Sequence, residues 1–146
     1  MSEEKLRIGF TGTRHGMNMR QSGCVYRLLA RASELHHGDC VGADAEAHTI
    51  ARTAGIRIVS HPPIEDRLRA FCKVDESRSP LPYLARNSAI VDACELLIAV
   101  PATADETSRS GTWSTVRYAR RVGRQLVIVP PTGRPRWEPA KTEMMT

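Results

Sequence analysis

Leu96-Leu97-Ile98-Ala99-Val100, closed by Pro101, is five apolar residues with no polar break. A strand with one wet face alternates apolar and polar residues. An unbroken run this short fits a strand covered on both faces, as in a parallel sheet. Working outward, Thr103 to Ser110 is polar loop, and Thr112 to Val122 repeats helically. Trp113, Val116, Ala119 and Val122 share the inward face of that helix, and Arg117, Arg120, Arg121 and Arg124 the outward face. Gly123 ends it, Gln125 to Val129 reads as a last strand, and Pro130-Pro131 stops that strand.

Upstream the alternation continues. Leu6 to Phe10 reads as a first strand, and Asn18 to Ala32 as a helix with Val25, Leu28, Leu29 and Ala32 in phase. Glu34 to His36 is a short strand, and Asp44 is a natural N-cap for a helix carrying Ala47, Ile50, Ala51 and Ala54. Ile56 to Ser60 is a third strand closed by Pro62-Pro63. A connection of about twenty residues follows, long for a compact domain. In it Ile64, Leu68, Phe71 and Cys72 recur at helical spacing, and Ser77 to Pro82 is loop. Tyr83 to Asn87 leads into a helix with Ile90 and Val91. Alternating strands and helices predict an α/β fold: a Rossmann-like, doubly wound parallel sheet of about five strands with helices on both faces. Residues 1–130 form the single domain, and 131–146 a loosely ordered tail.

Composition excludes several classes. The chain has 146 residues, 41% hydrophobic and 25% charged, which suits one globular domain. No apolar run approaches the roughly 20 residues of a membrane helix. Met1-Ser2-Glu3-Glu4-Lys5 holds two acids and no apolar stretch, so no secretory leader and a cytoplasmic location are expected. The four cysteines lack C-x-x-C spacing and are expected to be reduced thiols. Cys24, Cys72 and Cys94 fall in apolar patterns, while Cys40 lies in a Gly-rich turn. No cofactor and no metal are expected; a zinc site built from Cys40 with His36, His37 or His61 has no spacing to support it.

The net charge of +5 is uneven. Seven Arg and no acid lie between Arg109 and Arg136, while the remainder holds 14 basic and 16 acidic residues. Arg presents a planar fork suited to phosphate. The stretch therefore reads as a local anion field for a small ligand, although the outward Arg face also fits ordinary solvation.

In a doubly wound sheet, ligands sit beyond the carboxyl ends of the strands, where the strand order reverses. Three Gly-containing loops leave such ends. In the first, Gly12, Thr13 and Arg14 offer backbone amides and a charged clamp. In the second, Gly38, Asp39, Gly42 and Asp44 form a turn whose carboxylates either cap the backbone or accept ribose hydroxyls. In the third, Pro101 ends the strand and Ser110, Gly111 and Thr112 open the basic helix, a phosphate-binding arrangement. Arg86 and Asn87 begin another helix and aim a guanidinium at the same rim, where Arg86 is expected to hold phosphate together with Arg14. Trp113 either stacks a base or, at helical spacing with Val116, belongs to the core.

Taken in order, Thr11-Gly12-Thr13-Arg14, His37-Gly38-Asp39-Cys40-Val41-Gly42-Ala43-Asp44, Arg86-Asn87 and Leu97-Ile98-Ala99-Val100-Pro101 with Ser110-Gly111-Thr112-Trp113 resemble the SLOG superfamily. That superfamily includes the Lonely Guy-type nucleoside-monophosphate phosphoribohydrolases and the DNA-processing protein. The nearest look is to its small stand-alone bacterial and phage members. The resemblance spans about Leu6 to Pro130. It implies a Rossmann-like fold, a homo-oligomer, and binding of nucleotides or nucleotide-derived signals of the ADP-ribose type. One departure matters. Lonely Guy enzymes carry P-G-G-x-G-T-x-x-E, and here Ser114 and Thr115 stand where acids would be, without the paired Gly. The expectation is therefore a non-catalytic sensor or sequestering module. The alternative is a nucleotide N-glycosidase, with Asp39, Asp44 or Glu106 as substitute acids. A further alternative is single-stranded DNA binding, a less favoured partner because the chain is only 5% aromatic.

Overall fold

The first strand, β1 (Leu6–Gly12), lies at the centre of a seven-stranded sheet, and the chain is wound on both sides of it. The computed structural model describes residues 4–141. Met1 to Glu3, part of the segment read for a leader, and residues 142–146 of the expected tail lie outside the described residues.

In chain order the remaining elements are α1 (Met19–Leu29), β2 (Ala32–His37), α2 (Ala43–Thr53), β3 (Arg57–Ser60), β4 (Glu76–Ser77), α3 (Tyr83–Ala93), β5 (Leu96–Val100), α4 (Gly111–Val122), β6 (Gln125–Ile128) and β7 (Arg136–Glu138). The sheet order is β4-β3-β2-β1-β5-β6-β7. All neighbours are parallel except β6 and β7. The expected doubly wound architecture is present, with seven strands rather than about five.

Alternation along the strands feeds two cores, one per face. Ile8, Phe10, Leu96, Ile98 and Val100 pack with α1 and α2 residues such as Val25, Leu29, Ala47 and Ala51. Leu97, Ala99, Leu126 and Ile128 pack with Ile90 and Val91 of α3 and Trp113, Val116 and Ala119 of α4. The unbroken apolar run of β5 is thus explained, since its odd and even residues serve opposite faces. Gln21 is a buried polar residue that ties the layers together. Its Nε2 donates to Pro101 O at 2.9 Å and Val129 O at 3.2 Å, pinning α1 to the ends of β5 and β6.

Several boundaries differ from the sequence reading. α1 stops at Leu29 and β2 starts at Ala32, so the helix is shorter and the strand longer than expected. α1 is capped by Asn18, whose side chain accepts from the Gln21 amide while Gln21 reaches back to the Asn18 amide. α2 begins at Ala43, so the N-cap is Gly42 and not Asp44, which lies in the first turn and gives its carboxylate to the Gly38 and Cys40 amides instead. At Gly42 the backbone has φ +92°, and a Cβ would collide with the Arg14 backbone, so only glycine fits. Val122 ends α4 45% exposed instead of facing inward.

The connection from β3 to α3 contains no helix. Ile64 and Phe71, expected on an apolar face, are 60% and 61% exposed. The connection is instead pinned to the turn after β2. Asp39 accepts from Arg69 Nε at 2.8 Å and from the Cys72 amide at 2.8 Å, while Val41 N–H donates to Leu68 O. Cys72 therefore sits half-buried in a loop rather than in a core. The expectation of a loose tail fails for Arg136–Glu138, which pairs with β6 as the seventh strand.

Candidate functional site

The strand order reverses between β1 and β5, since β2 and β3 lie on one side of β1 and β5 and β6 on the other. At the carboxyl ends of these strands lies a cleft of about 500 Å³. It is walled by the loop after β1, the turn after β2, the first turn of α3 and the segment leading into α4. Of the residues singled out in the sequence, Gly12, Thr13, Arg14, Gly38, Asp44, Arg86, Asn87, Ser110, Gly111 and Thr112 line it.

The other four do not. Asp39 is buried, and its carboxylate is committed to Arg69 and the Cys72 amide. Gly42 shapes the turn from behind. Pro101 gives its carbonyl to Gln21. Trp113 is 1% exposed in the core under α4, with Nε1 donating to Thr103 Oγ1 at 3.3 Å, so it offers no stacking face. Sequence reasoning missed His15, Cys40, Leu68, Tyr83 and Arg109 as lining residues. Arg109 and Cys40 adjoin motif residues and carried a positional signal; Leu68 is brought in by the connection whose path was misread.

The α4 end of the cleft is open for an anion. Ser110 caps the helix, its hydroxyl accepting from Trp113 N–H at 3.2 Å. The Gly111 and Thr112 amides, which precede it, have no partner among the described residues. Gly111 has nothing within 4 Å of where a Cβ would stand, so this end is open space. Arg14 and Arg109 flank the same cleft. Free amides, a helix N-terminus and two guanidiniums make a favourable phosphate position.

The floor of the cleft is different. Arg86, one turn inside α3, is 6% exposed, and among the described residues it forms no ion pair. Its Nε donates to Asn87 Oδ1 at 2.7 Å, and its Nη1 to the carbonyls of Gly38 and His61. Gly38 must be glycine for this: a Cβ there would stand 2.5 Å from Nη1. Asp44 is the one carboxylate among the lining residues and is 4% exposed. Its Oδ2 accepts from the Gly38 amide at 3.1 Å and the Cys40 amide at 3.2 Å. Burial pushes the Asp44 carboxyl up to about 6, against the opposing pull of Arg86 and the two amides.

Two groups read from the sequence lie elsewhere. Glu106 is half-exposed and paired with Arg117 and Arg120 at 3.0 and 2.9 Å, and Arg120 also pairs with Glu138. The Arg-rich stretch is therefore partly neutralised by acids before and after it, and of its seven Arg only Arg109 lines the cleft. The histidines form pairs rather than a cleft element: His36 Nδ1 meets His61 Nε2 at 2.9 Å, and His37 Nε2 meets His48 Nδ1 at 3.2 Å.

His37, His48 and Cys72 bring one ligand atom each within 4.8 Å of one another. The bond on the far side of His37 opposes a metal there. Its Nδ1 accepts from the Asp39 amide at 2.9 Å, which leaves the proton on Nε2, the atom a metal would need.

No family model matches the chain, and no curated protein matches it significantly in sequence. Solved structures do match. The molybdenum cofactor binding protein from the phototrophic bacterium Rippkaea orientalis superimposes with TM-score 0.67 at 22% identity, over 88% of this chain and 78% of that one. The molybdenum cofactor carrier protein from Chlamydomonas reinhardtii gives TM-score 0.62 at 21% identity, over 86% and 76%. DNA processing protein A from Streptococcus pneumoniae gives 0.64 at 21% identity, over 86% of this chain but half of its own length. No helix among the described residues is long and apolar enough to cross a membrane. With its strand order and its cleft at the β1–β5 reversal, the chain shares the Rossmann-like fold of these neighbours.

Proposed function

We propose that this protein binds a small organic phosphate of the nucleotide type and holds it without cleaving it. The phosphate sits on the free Gly111 and Thr112 amides between Arg14 and Arg109. The observation that carries this reading is the charge of the cleft: three Arg and a helix N-terminus against the single carboxylate of Asp44. Arg86 is buried in the floor and Arg14 and Arg109 are exposed at the rim, and this surplus of positive charge focused on one cleft favours an anion. Two structural neighbours, a molybdenum cofactor binding protein and a molybdenum cofactor carrier protein, support a carrying role over a reactive one.

Calorimetry with nucleoside monophosphates, ADP-ribose and ribose 5-phosphate tests it. Saturable binding is expected, weakened at least tenfold when Arg14 and Arg109 are both replaced by Ala. No binding to a folded protein refutes the reading. Cleavage of an N-glycosidic bond is the second reading, favoured by Asp44 alone, because Asp39 and Glu106 lie outside the cleft. Free base released from a nucleotide, and lost in Asp44→Asn, would replace the first reading with the second. Strand binding is disfavoured by the pairing of Arg117 and Arg120 with Glu106 and Glu138.

A further inference from the structure

The floor of the cleft presents two open atoms of opposite polarity, fixed by one residue. Gly38 donates its N–H to Asp44 Oδ2, and its carbonyl accepts from Arg86 Nη1. Cys40 N–H, His61 O and Asn87 Oδ1 complete the bonding of both side chains. What remains is Asp44 Oδ1, an acceptor, and Arg86 Nη2, a donor. Neither has a partner among the described residues, and neither is sealed from the cleft. Unpaired within the protein and open to the cleft, both atoms are free to take a ligand.

A phosphate on Arg86 would set a second anion beside the Asp44 carboxylate, which is itself 4% exposed. An uncharged group offering a donor next to an acceptor satisfies both atoms and adds no charge. The edge of a heterocyclic base has this form: a ring or exocyclic N–H beside a carbonyl or ring nitrogen. We infer that Asp44 and Arg86 form a base-reading floor, which takes the heterocycle of a ligand whose phosphate lies at the α4 end. This rests on the proposed phosphate position and adds the ligand's second half. It also removes Arg86 from the role of phosphate clamp and gives the cleft one anionic subsite, not two.

The competing arrangement, a second anionic group on Arg86, has the opposite pH signature. The charged and titratable groups around the Asp44 carboxyl are Arg86 from α3, Asp39 and Cys40 from the turn before α2, and Cys72 from the long connection. A base held by ionised Asp44 loses its acceptor as Asp44 protonates. An anion on Arg86 would instead favour protonated Asp44 and bind better in acid.

The test compares ribose 5-phosphate with the monophosphates of adenosine, guanosine, cytidine and uridine, and with pyrophosphate, by calorimetry on the full chain. The ratio of affinities cancels the titration of the phosphate itself. At least one base-bearing ligand is expected to bind at least tenfold tighter than ribose 5-phosphate. That advantage should shrink as pH falls through about 6. Asp44→Asn should cut the advantage severalfold and flatten its pH dependence, the advantage being taken as the ratio to ribose 5-phosphate measured on the same variant, so that loss of the carboxylate charge acts on both ligands alike. The inference is overturned if base-bearing ligands and ribose 5-phosphate bind alike, if pyrophosphate binds tightest, or if the advantage grows in acid. In those cases the phosphate position stands. Absence of binding by every ligand overturns both.

Discussion

Asp44→Asn is expected to stabilise the fold at neutral pH even as it weakens the cleft. Burial raises the Asp44 carboxyl from its ordinary 3.8 to about 6. In the unfolded chain the group ionises near the lower value. Between the two, the folded state holds more protons than the unfolded one, so stability falls as pH rises. Each tenfold change in proton affinity is about 1.4 kcal/mol, so the full cost is about 3 kcal/mol once the group is ionised in both states, above about pH 7. Asn escapes this cost. Its carbonyl can take the Gly38 and Cys40 amides that Oδ2 now accepts, and its amino group can face the cleft in place of Oδ1. Urea unfolding of both chains at several pH values from about 4 to about 8 reads the difference. Near pH 4 the two should be almost equally stable, and the variant should gain up to about 3 kcal/mol by about pH 7. A variant that is less stable at neutral pH, or a difference that does not vary with pH, would refute the reasoning. It would mean that Arg86 and the two amides compensate the buried charge in full.

Two further outcomes follow from the packing around the turn after β2. Asp39→Ala removes a buried carboxylate that holds Arg69 and the Cys72 amide, so a loss of roughly 3 kcal/mol is expected. Limited proteolysis should then cut between residues 62 and 82 first; cutting elsewhere would show that Asp39 does not pin that connection. Adding zinc should leave the melting temperature unchanged, because His37 keeps its Nε2 proton while Nδ1 accepts from Asp39 N–H. A rise of several degrees on adding zinc would show that this bond yields to the metal.

The sheet and its reversal point were legible because long apolar or periodic stretches decide them. Leu96 to Val100 announces a strand covered twice, and Trp113, Val116 and Ala119 announce a helix face. The same periodic rule misled at Ile64 and Phe71, where the spacing was helical but a carboxylate 30 residues away captures the chain. Local patterns carry no record of such a bond. β4 and β7 were invisible for a related reason: Glu76-Ser77 and Arg136-Trp137-Glu138 have almost no apolar content, and only their neighbours make them strands. In the site, loops at strand ends were identifiable, but the division of labour was not. Asp39 and Asp44 look alike in sequence, and the fold sends one to pin the long connection and the other to the cleft.

The two outermost strands have a bearing on solubility. Leu126-Val127-Ile128 of β6 is an apolar stretch, two of its three residues β-branched, of the kind that templates aggregation when its edge is bare. β7 occupies that edge with Arg136 and Glu138 on either side of Trp137, and at the opposite margin β4 offers only two polar residues. The sheet thus ends on both sides in strands too short and too charged to recruit another chain. Trimming the protein at Pro130, where the motifs end, would leave the cleft residues in place and convert a guarded margin into a polymerisation surface.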